Sequence, residues 1–440
     1  MSRTKSPESN FDTSSGKVLK WNFSMGLLHG IFFTGGQAFS NPDTIIPVFL
    51  NHFTDSKTLI GLSSTLLGSL GGIGSVLPQL FVARRLENKS HKKPLLTFAI
   101  TVRALSWGFL ALTTYFFASR SAYLTVSFLF FFLILFTFMG GIAAVSFYDI
   151  WGKSLPSQLR GRFFGHRELW GGVLAIGSGF VAKLVLGSGK ILFPLNFVLL
   201  FFLTFAFVSI SYIALGSVKE PVERVYEKRL SVKEFLKKAF RIIRDDKNYK
   251  RFILVQILAG GAALALPFYI LYARELREIE LETVGVLLSA QMLGRVLSNI
   301  LWAHLSDFVG NKRVIQISTL AGLVVPLIAL LTRSQNRAAF IVMFVLIGFF
   351  ISGRLIGKTN YLLDTASSKD RPTYISLTAT LTFPISLFSL AGGLVVQFLS
   401  YQVVFAVTLV FMAAGLILSF GLREPRLSKL REEKNENPSM

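Results

Sequence analysis

Residues Gly216 to Arg251 read GSVKEPVERVYEKRLSVKEFLKKAFRIIRDDKNYKR, the only long polar segment between Lys20 and the C-terminal tail. On either side lie apolar halves of similar length. Each divides into six runs of about twenty residues, the length a helix needs to cross a bilayer. The segment therefore reads as a tether between two membrane-embedded bodies, and it sets the expected organisation. A polar tail over 1–20 precedes a first six-helix bundle over 21–217. A basic linker over 218–250 carries one amphipathic helix, a second bundle covers 251–422, and a tail follows over 423–440.

Composition supports this. Among 440 residues 52% are hydrophobic, 43 are Phe and only 16% are charged. The mean hydropathy of +0.56 lies outside the soluble globular range. The charges fall in short bursts between apolar runs, which is the pattern of an all-α membrane protein. Outer-membrane barrels show short alternating segments instead. The formal net charge of +22 suggests nucleic acid until the basic residues are placed along the chain. Of the 46 Lys and Arg, 35 fall on the side of the tails and linker and 7 on the opposite side. That asymmetry is the positive-inside rule, so both termini are expected in the cytoplasm and no nucleic-acid partner is implied. There are no cysteines, which excludes disulfides and thiol-ligated metals. The run starting at Trp21 is too long for a cleaved signal and should remain as the first span.

The expected spans are Trp21 to Asn41, extended through the Pro42 and Pro47 breaks to about Leu50, then 58–82, 95–118, 123–150, 163–186 and 191–215. The second half gives 252–273, 283–305, 314–332, 338–363, 373–398 and 403–422. A faint internal repeat links the halves. Ser56-Lys-Thr-Leu-Ile-Gly61 opens the second span much as Leu281-Glu-Thr-Val-Gly285 opens the eighth. Duplicated halves of this kind suit a body that works by rocking about a midplane. In the linker, Ser231-Val-Lys-Glu234 has the form of a capping box. Phe235, Ala239, Ile242 and Ile243 then recur at helical spacing, so the helix is expected to lie along the inner leaflet.

After the eighth span the chain reads Ala303-His-Leu-Ser-Asp307-Phe-Val-Gly310-Asn-Lys312-Arg313. This resembles the cytoplasmic loop motif of the major facilitator superfamily, G-x-x-x-D-(R/K)-x-G-(R/K)-(R/K). Asp307, Gly310 and Lys312 match; Ala303, Phe308 and Asn311 depart from it. The counterpart in the first half, Gln79 to Arg85, has lost the acid. Pro156 to Gly165 is similar to the loop between the fourth and fifth spans of many members. The resemblance implies twelve transmembrane helices in two six-helix bundles, with both termini cytoplasmic, working as a secondary transporter by alternating access. It makes Asp307 a conformational latch, with Gly310, Lys312, Asp149, Arg160 and Arg162 as gate residues.

Charged side chains inside spans are costly and mark candidate sites. Here they are basic: Arg103, Lys183, Arg295 and Arg354, with His29 adding an imidazole. The resemblance puts the first, fourth, seventh and tenth spans around the cavity, bordered by the second, fifth, eighth and eleventh. Substrate-binding candidates are then His29, Gln37, Gln256, Gln291, Arg295, Arg354 and Asn360, with Asn41 and Asn299 nearby. Two guanidiniums without a mid-membrane acid suit a carboxylate, phosphate or sulfate group. The competing reading has Arg295 bridging helices through backbone carbonyls and Arg354 or Lys358 snorkelling to the surface. Asp43, Asp149, Glu168 and Asp364 sit near span ends, where pairing with Lys153, Arg167 or Lys358 accounts for them.

The expected function is transport of a small organic anion across the cell (inner) membrane, with protons or Na+ as coupling ion and membrane lipid around it. Export of amphipathic compounds is the alternative within the class, and a non-transporting sensor or scaffold the alternative outside it. No paired acids, nucleophile–base set or metal spacing falls in the spans, so no enzyme and no cofactor is expected. Gly187-Ser-Gly-Lys190 lacks the leading Gly and the Ser/Thr of a phosphate loop.

Overall fold

The computed structural model describes residues 13–68, 92–220, 232–332, 336–366 and 370–425. Among these every regular element is helical. Before the linker come α1 (Thr13–Ala38), α2 (Ile45–Asn51), α3 (Lys57–Leu67), α4 (Lys93–Phe117), α5 (Ala122–Ser154), α6 (Ser157–Leu186) and α7 (Leu195–Gly216). The linker helix is α8 (Val232–Asp245). After it come α9 (Lys247–Ala259), α10 (Leu266–Arg277), α11 (Leu281–Phe308), α12 (Asn311–Leu331), α13 (Arg337–Thr365), α14 (Arg371–Thr382), α15 (Phe388–Phe398) and α16 (Tyr401–Phe420). Ten stretches among the described residues are long and apolar enough to cross a membrane. The second half of the second expected span, Gly72, the Gln79–Arg85 loop and Ser231 of the capping box lie outside the described residues.

Three expected spans are not single helices. The first breaks between α1 and α2, where the Asn41 side chain accepts from the Asp43 backbone N–H at 2.8 Å. This is an Asx turn, the local bond by which Asn outcompetes helix continuation. The seventh breaks at a 3-10 turn, Gly260–Leu264, between α9 and α10, and the eleventh at Phe383–Leu387 between α14 and α15. The first and seventh spans hold corresponding places in the two halves. Paired interruptions of that kind mark the functional region in repeat-built membrane proteins, because unwound backbone is tolerated only inside protein or beside water.

Packing divides the molecule along the membrane normal. At the end away from the linker one apolar cluster takes in both halves, with Ile45, Phe49, Phe197 and Phe201 from the first and Phe268, Tyr269, Leu287 and Phe344 from the second. At the linker end there are two separate clusters. One is built around Trp151, Phe163 and Tyr212, the other around Tyr249, Phe252 and Tyr361. The halves are thus fused at one end and individually packed at the other. In the linker helix Ile242 and Ile243 pack against the second of these clusters, while Phe240 is exposed. Asp246 fixes the junction, accepting from the Tyr374 hydroxyl at 2.9 Å and from the Tyr249 N–H at 2.8 Å.

Candidate functional site

The far-end seam is built from close backbone approach. Helices α6 and α11 run antiparallel across it. Gly285 lies against the Lys183 backbone, Gly179 against Ser289, and Gly172 against Val296. The Ser289 hydroxyl donates to the Ile176 carbonyl at 3.1 Å. On the other side of the molecule α3 meets α15. Gly61 abuts the Ser389 carbonyl, Gly393 abuts Lys57, and the Leu390 N–H donates to Thr65 Oγ1 at 3.0 Å. A polar cap sits over this pair. Lys57 donates from its backbone to Gln397 Oε1 at 2.7 Å, and its ammonium reaches Glu275 at 2.5 Å and Asn51 at 2.9 Å. Tyr401 donates to the other Glu275 oxygen at 2.6 Å. Among the described residues, every hydrogen bond and ion pair joining the two halves lies between the far end and the Arg295–Glu168 contact.

Beside this cap a recess of about 210 Å³ is lined by Asn51, His52, Arg274 and Glu275. The His52 ring stacks on Phe193 at 4.6 Å, and its Nδ1 faces the Val48 carbonyl at 2.8 Å, which places the proton on Nδ1. Burial pulls the His52 pKa below its ordinary value, and the Arg274 charge adds to this. A folded-state pKa below the unfolded one favours the neutral ring. Its stabilisation is complete above the unfolded pKa of about 6.5 and is lost as pH falls through the folded value. The melting temperature of the parent should therefore drop more steeply below about pH 6.5 than that of His52→Gln, whose amide keeps a donor for Val48. Parallel melting curves from pH 7.5 to pH 5 would remove His52 from the pH response. A larger recess of about 500 Å³, walled by apolar side chains of α4 and α7 such as Phe109, Leu112 and Phe202, lies away from every polar candidate.

The second-half candidates separate on inspection. Arg354 on α13 is buried, donates from Nη2 to the Gln256 carbonyl at 2.9 Å, and leaves Nη1 without a hydrogen-bond partner. Lys358, one turn on and so on the same face, reaches Thr382 Oγ1 at 3.4 Å. Neither has an acidic partner within ion-pair distance among the described residues. Gln256 is buried with Oε1 unpartnered, as is the Thr408 hydroxyl. The carbonyl bridge expected for Arg295 is thus found at Arg354. Arg295 instead faces Glu168 of α6 across the seam, Nη2 to Oε2 at 3.8 Å. Gln291 also points into the seam, donating to Asp43 Oδ2 at 3.4 Å with Oε1 unpartnered. Asp43, with 3% of its surface exposed, is an interior carboxylate and not the span-end acid its position suggests. Gln37 lies nearby in sequence on α1 with its amide nitrogen buried and unpartnered. Asn299 accepts from Ser352.

His29 is held within the first half. Its Nδ1 meets Ser211 Oγ at 2.5 Å, that hydroxyl donates to the His29 carbonyl at 2.9 Å, and Phe33, Phe147 and Tyr212 surround the ring.

The gate candidates lie at the linker end. Gly310 has φ +106°, a conformation L side chains avoid, and a Cβ there would meet the Glu424 carboxylate at 2.6 Å. Glu424 accepts from the Lys312 N–H at 2.8 Å at the start of α12, where the helix dipole favours an anion. Lys312 Nζ donates to the Phe420 carbonyl at 2.9 Å. Asp307 is exposed, and no hydrogen bond or ion pair holds it among the described residues. The polar chain beside it runs from Asn360 to Ser306 (3.1 Å), Ser306 to Asn311 (2.8 Å) and Asn311 to Asp364 (2.7 Å). Asn360 therefore lies with the gate residues and apart from Arg354. In the first half Asp149 pairs with Lys92 and Lys153, both at 2.6 Å. Arg160 caps the α5 C-terminus through the Gly152 and Leu155 carbonyls, and Arg162 is exposed. Glu424 and Glu275 escape sequence reading because their value comes from a neighbouring helix end, which no local pattern reports; Asp364, read as a span-end acid, accepts from the Asn311 amide.

Comparison with known proteins places this arrangement. Residues 252–439 match the Major Facilitator Superfamily profile. No curated protein sequence matches the chain. Among solved structures, a variant of the nucleoside transporter NupG superposes with TM-score 0.66 at 15% identity, covering 92% of this chain and 98% of that one. A bacterial homologue of the iron transporter ferroportin, in an inward-facing state, gives 0.69 at 13% identity over 92% and 98%. A bacterial homologue of the human lysosomal transporter Spinster, inward-facing and unoccupied, gives 0.63 at 13% over 95% and 98%. At these identities the likeness is one of fold.

Proposed function

We infer that this chain is a major facilitator superfamily protein, a reading supported by its fold and by the profile match of its C-terminal half, and that it is a secondary transporter of a small organic anion. The observation that carries the substrate class is Arg354. A guanidinium in the membrane interior, with Lys358 a turn away, an unpartnered Nη1 and no acidic partner among the described residues, is compensated best by an anionic ligand. The packing supports an alternating-access cycle. With the linker read as cytoplasmic by the positive-inside rule, halves fused at the far end and separate at the linker end fit an inward-facing body. Transport requires the seam to part and the linker ends to close, bringing Asp307, unpaired among the described residues, to a partner.

The test is ligand stabilisation of the purified protein, which reports binding to the folded state by mass action. Matched panels of organic anions, lipophilic cations and neutral sugars are compared on the parent, Arg295→Ala and Arg354→Ala. Anions should raise the melting temperature saturably, worth about 2.7 kcal/mol at a hundred times the Kd, and Arg354→Ala should remove the shift. Stabilisation by lipophilic cations or sugars alone would sink the anion assignment and leave Arg354 as a helix bridge.

A further inference from the structure

We propose that the first half contains an oxyanion-binding site of its own, formed by Arg103 of α4 and Arg167 of α6 on either side of His29, and that this site receives the charged group of the transported anion. The proposal rests on the anion reading above and gives it a second anchoring point in the half opposite Arg354.

The two guanidiniums sit over neighbouring sets of aromatic rings. Arg103 lies over Phe136 at 4.2 Å and over Phe33 and Tyr212 at 5.6 Å each. Arg167 lies over Phe147 at 5.3 Å and Phe163 at 5.6 Å. His29 joins the two groups, its ring 5.7 Å from both Phe33 and Phe147 and 6.0 Å from Tyr212. The helices make room for these cations. Gly140 of α5 leaves the Arg103 guanidinium where a Cβ would come within 3.1 Å of Cζ, and Gly30, next to His29, does the same for Arg167.

Ring faces offset the charge of a guanidinium but leave its N–H groups unused. Arg103 Nε and Arg167 Nη1 are fully buried without a hydrogen-bond partner, and neither arginine forms an ion pair among the described residues. The Tyr212 hydroxyl, on a side chain only 5% exposed, is a third buried donor without a partner. Unused donors from two cations and a phenol, linked through the ring cluster around His29, are the complement of a carboxylate or phosphate. An arginine that served packing alone would spend those N–H groups on helix carbonyls. The apolar wall of Phe33, Phe136 and Phe147 favours an anion with an aromatic or aliphatic body.

The site carries its own reporters. Trp107 packs on Phe136 at 5.5 Å, beneath Arg103, and Trp151 packs on Phe163 at 4.7 Å, beneath Arg167. Tryptophan fluorescence of the full-length protein in lipid-free non-ionic detergent is titrated with benzoate and with phenyl phosphate. The parent should show a saturable change, lost when Trp107 and Trp151 are both replaced by Phe. Arg103→Gln and Arg167→Gln should raise Kd at least tenfold, and Tyr212→Phe, which removes only a hydroxyl and should fold normally, several-fold. If all three variants bind as the parent does while Arg354→Ala abolishes binding, this site is overturned and the anion reading stands. If no anion changes the parent's signal or its melting temperature, both fall. Added phosphatidylglycerol serves as a competitor; displacement of phenyl phosphate by the lipid would overturn the assignment to a soluble substrate.

Discussion

Tethering Lys57 to Gln397 should abolish transport while leaving binding from the linker side intact. The chain contains no cysteine, so a Lys57→Cys, Gln397→Cys pair is the only target for a short bifunctional thiol reagent. In the structure these residues already touch, the Lys57 N–H donating to Gln397 Oε1 at 2.7 Å. They sit over the point where Gly61 and Gly393 bring α3 and α15 into backbone contact. A tether there stabilises the state described and opposes the other. An equilibrium held about 99:1 toward one side leaves roughly a hundredfold less of the alternate state to carry flux. Uptake into proteoliposomes should fall to background and return when a reducible tether is cleaved. Anion-induced stabilisation should persist, because the linker ends remain apart. Full flux with the tether in place would mean that the seam does not open during the cycle, and the alternating-access reading would have to be given up. Glu275→Gln is a graded version. It weakens the bonds from Lys57 and Tyr401 without a covalent change, and hydrogen bonds to a charged group are worth about 1.5–3 kcal/mol each.

Much of this arrangement can be read in the sequence, but with its purpose missing. The repeat that aligns Ser56–Gly61 with Leu281–Gly285 is visible as letters. Only the fold shows that both glycines occur where their helix meets backbone of the opposite half, Gly61 at Ser389 and Gly285 at Lys183. Hydropathy locates spans because it integrates over twenty residues; for the same reason it passes over the 3-10 breaks at Gly260–Leu264 and Phe383–Leu387, which are apolar throughout or nearly so. Asp43 and Glu168 read as span-end acids because distance from a loop is all that a sequence supplies. Their partners, Gln291 and Arg295, come from α11, some 120 residues or more away in the chain. The same blindness applies to glycines in α6. Gly171, Gly172, Gly177 and Gly179 look equivalent, yet Gly177 meets open space while Gly172 and Gly179 face the other half.

Gly348→Ala should be among the most destabilising single-carbon additions in the chain, and Gly177→Ala among the least. Helices α11 and α13 cross where Gly294 faces the Val345 carbonyl and Gly348 faces the Gln291 carbonyl, a reciprocal pair of glycines against backbone. In lipid no hydrophobic force drives helices together, so close packing of this kind supplies the attraction. A Cβ at either position meets a carbonyl oxygen, which no rotamer change can relieve, and the helices must separate. Overpacking costs about 1–3 kcal/mol where side chains can yield, and the upper end or more is expected where the neighbour is main chain. The melting temperature and the monodisperse fraction after detergent extraction should both fall for Gly348→Ala, and Gly177→Ala should stay within about 0.5 kcal/mol of the parent. The consequence reaches the seam, because the carbonyl that Gly348 crowds belongs to Gln291, whose side chain donates to Asp43 of the first half. Pushing α13 away lets that residue turn, so a surviving Gly348→Ala protein should also close its far end less completely. A thiol reagent entering from that side would then label a cysteine placed at Ser289 faster than in the parent. Equal melting temperatures for the two alanine variants would show that the crossing can relax, and the account of tight α11–α13 packing would be wrong.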